Sequence, residues 1–230
     1  DARLSKLIRY FEESEEATQD ARRKAERDRD YYDGKQWTAD EASKLEARGQ
    51  PVIAFNVIKS RVEFLLGLEK QQRRDPKAYY RNQPDEPAAD AFTAGLRFAA
   101  DSADFPAKRS KAWKNMVVEG DGGVELYVEP DGIDYKLCIN HIPWDRIVRD
   151  PHSSQEDYSD SEFVGQVIWS DLETAVRRAV KNGADEANVR EVLASTLSDT
   201  DKSDTFGDKA KGVVWADKKR KRVRVVAVWH

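Results

Sequence analysis

Apolar residues recur at helical spacing at the start of the chain and then give way to charge. Four of them stand three or four residues apart, at Leu4, Leu7, Ile8 and Phe11. This spacing predicts a helix over residues 1–32 whose first turns are amphipathic. Beyond Phe11 the helix is charged on nearly every side and has little apolar surface to bury against the core of its own chain. We therefore expect it to be solvated or covered by a neighbouring subunit.

Two capping signals predict the next two helices. Thr38 followed by Glu41 matches a capping box, which predicts a short helix through Leu45. Asn56 is expected to cap a third helix, and we expect the apolar face of that helix to be core. The face comprises Ile58, Val62, Leu65 and Leu66 and is widened by Val57, Phe64 and Leu68.

The periodicity changes in the middle of the chain. Further helices are predicted from about Pro87 and over about residues 107–119. In "GDGGVELYVEPDGIDYKLCIN", residues 120–140, apolar and polar residues then alternate on both sides of a Pro-Asp-Gly turn signal. This alternation predicts an antiparallel hairpin.

The remainder combines strands and helices. A third strand is predicted over residues 163–169, and Ser170 followed by Glu173 forms a second capping box that opens a helix. A further helix is predicted over about residues 185–197. The final hairpin is expected to join Val213 and its neighbours to residues 223–229.

Helices followed by antiparallel hairpins with packed helices predict an α+β fold. We expect residues 1–120 to form a mainly helical region and residues 121–230 to form an α/β region with hairpins. The chain begins without methionine and ends in the strand-like run "RVRVVAVWH". We therefore expect it to be an excerpt of a longer protein.

The composition excludes several classes of protein. Charged residues make up 36 % and aromatic residues 10 % of the 230 residues, which is not typical of a disordered chain. No segment approaches the roughly 20 apolar residues of a membrane-spanning helix, and no signal peptide is recognisable. The single Cys138 can form no internal disulfide. Neither a zinc spacing of histidines nor a phosphate-binding loop occurs, so we expect neither an enzyme nor a cofactor.

A basic cluster is the first candidate for a contact site. The net charge is −4, so a nucleic-acid role would need such a local patch. The cluster comprises Lys218, Lys219, Arg220, Lys221, Arg222 and Arg224 and lies at the predicted tip of the last hairpin. It is suited to phosphate contacts that weaken with salt, or to a contact with another subunit. A solvated hairpin tip explains it equally well.

An acidic segment without Lys or Arg follows Arg149. It contains Asp150, His152, Glu156, Asp157, Asp160 and Glu162. Carboxylates at this density are suitable ligands for Mg²⁺ or Ca²⁺, and Asp150, Asp157 and Asp160 are the weak candidates. The spacing fits no EF-hand, however, and we favour a solvated acidic loop over a metal site. The segment is also a possible partner for the basic cluster across a subunit boundary.

Three aromatic residues surround the turn signal Asp33-Gly34. Tyr31, Tyr32 and Trp37 are expected to pack the corner between the first two helices, in preference to stacking on a ligand. We call these three residues the inter-helix corner.

The order of several motifs resembles one known family. The motifs include "YYDGKQW", then "RGQP", then Asn-x-Ile, and then a helix that ends in Gly-x-x-x-x-x-Arg-x-Asp. Further along, "GDGGVELYVEPD" and "IPWDRIVRDPHSSQEDYSDSEFV" add to the match. From about Ala21 to Trp169 the chain resembles the N-terminal portion of P22-like portal proteins, the head-to-tail connectors of tailed bacteriophages.

The resemblance implies a structural role in the virion. Portal proteins form a ring, usually a dodecamer, at one capsid vertex; double-stranded DNA enters through it during packaging by the terminase motor and later leaves through it on ejection. They contain no ATPase site of their own. Residues 1–230 would then belong mainly to the outer wing, and the stem, clip and crown would follow.

The resemblance also implies partners and a location. The partners would be further copies of the chain, the terminase large subunit, capsid and scaffolding proteins, a tail adaptor, and double-stranded DNA in the channel. No membrane partner is expected. The location would be the portal vertex of the virion, after assembly in the cytoplasm of the bacterial host.

Two alternatives remain open at this stage. One is a metal-dependent, nuclease-like DNA-processing domain built on Asp150, Asp157 and Asp160. The other is a DNA-binding module that uses the basic cluster, whose binding would weaken steeply with salt.

Overall fold

The computed structural model describes residues 2–132, 134–155, 157–181, 183–199, 215–217 and 219–229. Five helices precede the first strand, two more lie between β4 and β5, and the strands pair antiparallel, which confirms the predicted α+β class. The helices are α1 (Ala2–Tyr32), α2 (Ala39–Ala47), α3 (Val57–Gln71), α4 (Glu86–Ser102), α5 (Phe105–Glu119), α6 (Leu172–Lys181) and α7 (Glu186–Asp199). The strands are β1 (Gly123–Asp131), β2 (Asp134–Ile142), β3 (Ile147–Arg149), β4 (Val164–Asp171), β5 (Ala216–Asp217) and β6 (Arg222–Trp229).

The chain divides into two compact units. Unit 1 combines Asp1–Gln19 with Asp145–His230, and unit 2 is Asp20–Trp144. This division does not coincide with the boundary between residues 120 and 121 that the change of periodicity suggests. The start of α1 packs with the C-terminal strands in unit 1, and local periodicity contains no information about such a long-range contact.

Unit 1 is built on an antiparallel sheet with the strand order β3-β4-β6-β5. Its core contains Tyr10, Phe11, Val148, Phe163 and Val167. The rings of Tyr10 and Phe163 stack with 4.3 Å between their centroids. The Tyr10 hydroxyl donates a hydrogen bond to Glu162 Oε2 at 2.8 Å. The first turns of α1 are therefore part of the core of this unit.

The covered side of α1 continues past Phe11 on small residues. Ser14 is completely buried, and its Oγ accepts a hydrogen bond from the backbone N–H of Arg149 at 3.1 Å. In unit 2, Ala25 of the same helix is also buried. The expectation that the charged part of α1 buries little within its own chain is wrong at these positions. Small side chains allow close packing but add no apolar signal to the sequence.

Unit 2 contains the predicted central hairpin. Strands β1 and β2 pair from Gly123 with Ile142 to Asp131 with Asp134, and Ile133 lies outside the described residues. The preceding glycines have structural roles. Gly120 ends α5 with φ near +87°, and a Cβ atom on Gly122 would lie 2.3 Å from the Ala112 carbonyl oxygen. These constraints account for Gly120 and Gly122 of the "GDGG" sequence without a ligand.

The structure confirms two predicted helix caps and shows that a third lies one residue away from its predicted position. The Thr38 Oγ1 accepts a hydrogen bond from the Glu41 N–H at 3.3 Å, and the Glu41 carboxylate accepts one from the Thr38 N–H at 2.9 Å. Asn56 accepts a hydrogen bond from the Lys59 N–H, as expected. Ser170, in contrast, lies within β4, and Asp171 accepts the capping hydrogen bond from the Thr174 N–H at 2.9 Å. The second capping box was therefore predicted one residue too early.

The apolar face of α3 is largely uncovered in the chain. Val62 and Leu66 are half-buried, but Ile58 and Leu65 are each 43 % exposed and Phe64 is 68 % exposed. None of the residues of α3 is buried. The prediction that this face is core is therefore wrong for the chain by itself. Periodicity identifies an apolar face, but it does not identify the surface that covers it.

None of the helices in the described ranges combines the length and the apolar character needed to cross a bilayer. The segment 200–214 lies outside the described residues, and with it the predicted strand residue Val213. Glu156 of the acidic segment and Lys218 of the basic cluster lie outside them too.

Candidate functional site

The basic cluster lies at the turn between β5 and β6 and divides into exposed and structural residues. Lys219, Arg220 and Lys221 are exposed in this turn. Arg222 is different, because its Nη2 contacts Asp217 Oδ2 at 3.1 Å and its guanidinium lies 5.5 Å from the Trp169 ring centroid. Three residues of the described cluster are thus presented to solvent.

Arg224 points into unit 1. Its side chain is 6 % exposed and its Nη2 lies 3.7 Å from Glu15 Oε1. The guanidinium also lies 5.5 Å from the ring centroid of Phe11 and 5.7 Å from that of Trp215. A guanidinium held in this way has little surface left for a phosphate. Arg224 therefore has a structural role in this unit, and the charge run alone did not distinguish it from the exposed residues.

Asp217 shows how the turn is held. Burial by itself would raise the pKa of its carboxyl group, but hydrogen bonds from the Arg220 N–H and the Arg222 guanidinium outweigh that effect and lower the pKa. The carboxylate is therefore charged at neutral pH and neutralises part of the basic cluster. The field that remains for a nucleic acid or a neighbouring subunit comes from the exposed residues of the turn.

In the acidic segment, Asp160 organises the loop that contains it. Its two carboxylate oxygens accept hydrogen bonds from Ser153 Oγ at 2.7 Å and from the N–H and Oγ of Ser154, each at 2.8 Å. The Gln155 N–H adds a fourth at 3.3 Å. Hydrogen bonds from Ser153 and then Ser154 hold the pKa of Asp160 far below its usual range. Asp160 is thus a loop cap whose acceptor positions are used by neighbouring residues.

The other two candidate carboxylates also serve the loop. Asp150 is 6 % exposed, and its oxygens accept the N–H groups of His152 at 2.8 Å and Glu162 at 2.9 Å. Asp157 accepts the Ser159 N–H at 3.1 Å, and hydrogen bonds from Ser159 lower its pKa.

These carboxylates do not converge on a common point. Over the ranges that the structure describes, no group of three or more His, Cys, Asp or Glu side chains is arranged to hold a metal ion. The oxygens of Asp150 and Asp160 instead accept hydrogen bonds from backbone N–H groups of a tight loop. This arrangement gives Asp150 and Asp160 structural roles, and among the described residues of the segment it provides no assembled centre for the nuclease alternative.

The role of Asp160 leads to a first prediction. Asp160→Asn replaces one acceptor oxygen by an N–H₂ group, so we expect amide hydrogen exchange at Ser154 and Gln155 to accelerate several-fold at neutral pH. Because the folded-state pKa is lowered, the stabilisation is present above the ordinary pKa of 3.8 and is lost as the pH falls below it. Hydrogen exchange monitored by NMR measures both effects.

The matched control is Asp157→Asn, which removes an equivalent charge from the same loop but has no hydrogen bond to Ser154 or Gln155. Exchange at those two amides should stay unchanged in this variant. Equal acceleration in both variants would show that charge, and not the hydrogen bonds of Asp160, determines the order of the loop.

The three aromatic residues of the predicted corner have different environments. Tyr32 is buried, and its hydroxyl forms a hydrogen bond with Glu63 of α3. Its backbone oxygen accepts a hydrogen bond from Asn56 Nδ2 at 2.8 Å. Burial, followed by the interaction with Glu63, raises the pKa of Tyr32 to about 12. Tyr32 therefore joins the end of α1 to α3.

Tyr31 and Trp37 are only partly covered. Trp37 is 43 % exposed, and its Nε1 donates a hydrogen bond to the Ile53 carbonyl oxygen at 3.0 Å, in the segment between α2 and α3. Tyr31 is 38 % exposed. Tyr32 and Trp37 therefore contact α3 and the segment that precedes it, whereas the ring of Tyr31 lies 6.0 Å from the Arg27 guanidinium in the same helix. That the three residues pack the corner between α1 and α2 stays a prediction.

A cluster that the sequence analysis did not identify joins α3 to α5. The carboxylate of Glu69 accepts hydrogen bonds from Arg73 Nε at 3.1 Å, Arg109 Nε at 3.2 Å and Ser110 Oγ at 2.9 Å. Its side chain is only 14 % exposed. Hydrogen bonds from Arg73 are the main cause of its lowered pKa. The spacing of Glu69 and Arg73 by four residues could have indicated an ion pair from the sequence alone. The contribution of Arg109 could not, because Arg109 is far away in the sequence.

Unit 2 also presents large apolar side chains to solvent. Beside Phe64, the residues Phe55, Phe92 and Phe98 are each at least 70 % exposed. Single exposed apolar residues are ordinary, but several large ones within one unit are typical of a surface that binds another protein. Phe92 and Phe98 lie in α4, whereas Phe55 directly precedes α3. We call the exposed apolar residues of α3 together with Phe55 the apolar surface of unit 2, and it is a candidate for a protein contact.

Comparison with known proteins gives one result. No curated protein matches the chain. The profile of one family, described as phage P22-like portal protein, matches residues 8–230 and so extends well beyond the segment in which the individual motifs are recognisable. With nearly the whole length matched, the chain belongs to the family of P22-like phage portal proteins.

Proposed function

We propose that this chain is a structural, non-catalytic subunit of a portal ring, most simply a dodecamer, at one vertex of a phage capsid. Double-stranded DNA passes through such a ring when the terminase motor packages it and again when it is ejected. The subunit would assemble in the cytoplasm of the bacterial host, with scaffolding and capsid proteins outside the ring and a tail adaptor added later. The family membership supports this role.

The apolar surface of unit 2 is the observation that supports ring formation most directly. Phe64 is 68 % exposed, Val57 is 61 % exposed and Phe55 is 83 % exposed, although α3 has the periodicity of a buried helix. Burying such side chains contributes about 25 cal/mol for each Å² removed from water. A neighbouring subunit would bury this face, which agrees with the expectation from sequence that the face is core. This face would then be core in the assembled ring, at the interface between two copies of the chain.

The subunit number of the protein in solution tests the proposal. Native mass spectrometry or multi-angle light scattering at moderate salt should find a closed ring of about a dozen subunits, since closed cyclic symmetry satisfies every interface. A stable monomer over the whole accessible concentration range would contradict ring formation by this protein.

A charge on α3 gives a second, sharper test. Phe64→Glu should reduce the assembled fraction by at least tenfold, because it would place an unpaired carboxylate in an apolar contact. Lys70→Gln is the matched control: it changes the net charge by the same amount on a polar, exposed position of the same helix. Light scattering measures both variants, and circular dichroism checks that they are folded. Equal assembly in both would exclude this face from the contact.

The nuclease alternative makes a different prediction. Metal-dependent cleavage of plasmid DNA that is lost in Asp150→Asn would support it, and the absence of cleavage with either Mg²⁺ or Mn²⁺ would agree with a structural subunit. The loop hydrogen bonds of Asp150 and Asp160 favour the second outcome.

A further inference from the structure

We propose that unit 2 contains a binding site for a phosphate-type oxyanion. The site is a small pocket of about 100 Å³ where the end of α3 meets α4 and the start of α5, and we call it the arginine pocket. Four arginines line it: Arg73, Arg74, Arg97 and Arg109. Its volume accommodates several water-sized groups, as a single phosphate needs. The site does not depend on ring formation.

Two of the four arginines are held in place before any ligand binds. Glu69 accepts hydrogen bonds from Nε and Nη2 of Arg73 at 3.1 and 3.2 Å and from Nε of Arg109 at 3.2 Å. Arg73 also contacts Ser110, and the guanidinium of Arg109 lies 5.9 Å from the Phe105 ring centroid. A guanidinium that is already fixed loses less rotational freedom when it binds an anion.

The other two arginines lie at the exposed rim. Arg74 is exposed, and Arg97 is 53 % exposed in its side chain and lies 3.8 Å from Asp75 Oδ2. This contact with Asp75 is long and the Asp75 side chain is 76 % exposed, so an exchange for a doubly charged ligand costs little. We expect the side chains of Arg74 and Arg97 to move towards an anion once it has bound to Arg73 and Arg109.

The charges of the pocket favour an anion. Its lining contains four arginines and two carboxylates, Asp75 and Asp101. Glu69, which does not line the pocket, neutralises one further positive charge. Together these seven side chains still carry a net positive charge. The first turn of α5, through Phe105 and Pro106, also lines the pocket, and Asp104 forms no side-chain cap there. The partial positive charge of this helix end adds to the field of the arginines.

The geometry of guanidinium groups defines the class of ligand. A guanidinium group with free donors presents a planar pair of N–H groups that matches two oxygens of a phosphate. In the arginine pocket such pairs come from Arg74 and Arg97, while Arg73 and Arg109 add positive charge and the N–H donors that Glu69 and Ser110 do not use. Free inorganic phosphate and a phosphate group of a DNA backbone share this chemistry. The experiment therefore has one arm for each source.

The first arm uses inorganic phosphate. In a ³¹P NMR titration at constant ionic strength, the phosphate line should broaden with the wild-type protein. Arg74→Gln combined with Arg97→Gln should weaken this binding by at least roughly tenfold, because the loss of a single charge-assisted hydrogen bond already costs about one power of ten. The matched control combines Arg48→Gln with Arg81→Gln, two exposed arginines of the same unit that do not line the pocket.

The second arm uses a short DNA duplex of arbitrary sequence and fluorescence anisotropy. If backbone phosphate is the source, the pocket variant should lower DNA affinity more than the control does, and inorganic phosphate should compete. If the variant changes phosphate binding alone, free phosphate is the ligand. If neither probe distinguishes the pocket variant from the control, the proposal is overturned. The variant that combines Arg74→Lys with Arg97→Lys keeps the charge but loses the planar arrangement of donors. Its phosphate affinity should therefore lie between those of the wild type and of the glutamine variant.

Discussion

Tyr10→Ala is expected to lower the free energy of unfolding of unit 1 by about 4 kcal/mol, because it empties the centre of the core. Tyr10 is 2 % exposed and its ring stacks on Phe163. Removal of a buried aromatic ring leaves a cavity that the rigid sheet cannot fill, and the lost stacking adds to the cost. Urea denaturation measures the loss, and hydrogen exchange of β3 and β4 assigns it to this unit.

Two further variants separate the contributions to this loss. Tyr10→Phe keeps the ring and removes only the hydrogen bond to the exposed Glu162, so about 1 kcal/mol should be lost. Leu4→Ala, at a position of the same helix that is 57 % exposed, should change stability little. A small loss for Tyr10→Ala together with unchanged exchange in β4 would show that the start of α1 is not part of the core.

Elements with local signals could be predicted from the sequence. The capping box of Thr38 and Glu41 and the hairpin around Gly132 depend on residues that are close together in the chain, and both form as expected. The cap of α6 shows the limit of this approach. Ser170 and Asp171 offer equivalent side-chain oxygens, and the choice between them depends on how far β4 pairs with β6.

Contacts between distant segments could not be predicted in the same way. Ser14 is buried because β3 approaches α1, yet serine is indistinguishable from a solvated residue in a polar helix. Arg224 belongs to a run of basic residues, and only its contact with Glu15 reveals that its charge is neutralised inside unit 1. The fold divides the residues of this basic run into exposed and structural groups, which the charge pattern by itself does not separate.

The exposed face of α3 illustrates a different limit. The apolar period of α3 is present as the sequence indicates, but the expectation that its face is core assumed a covering surface in the same chain, and the described residues leave the face exposed. In a subunit of an assembly, core and interface have the same sequence pattern. Because α3 is amphipathic and has no buried residue, it is the element to test for such an interface.

Glu69→Ala is expected to lower the free energy of unfolding of unit 2 by about 2 kcal/mol, since it leaves two guanidinium groups without their acceptor. A fully buried ion pair would lose more, but the side chains of Arg73 and Arg109 are 29 % and 36 % exposed, and water can solvate them in part. Urea denaturation of the variant, with hydrogen exchange in α3 and α5, measures the effect.

The pH dependence supplies the control for this last prediction. Arg73 lowers the pKa of Glu69 below its ordinary 4.5, so the stabilisation is complete above that pH and is lost as the pH falls. The difference between wild type and Glu69→Gln should therefore be largest near neutral pH and shrink below pH 4.5. Glu173→Gln breaks a similar pair with Arg190, but that pair is exposed and should contribute nothing measurable. A loss in Glu69→Gln that stays constant down to pH 3 would mean that packing, and not the charge of the carboxylate, holds α3 to α5.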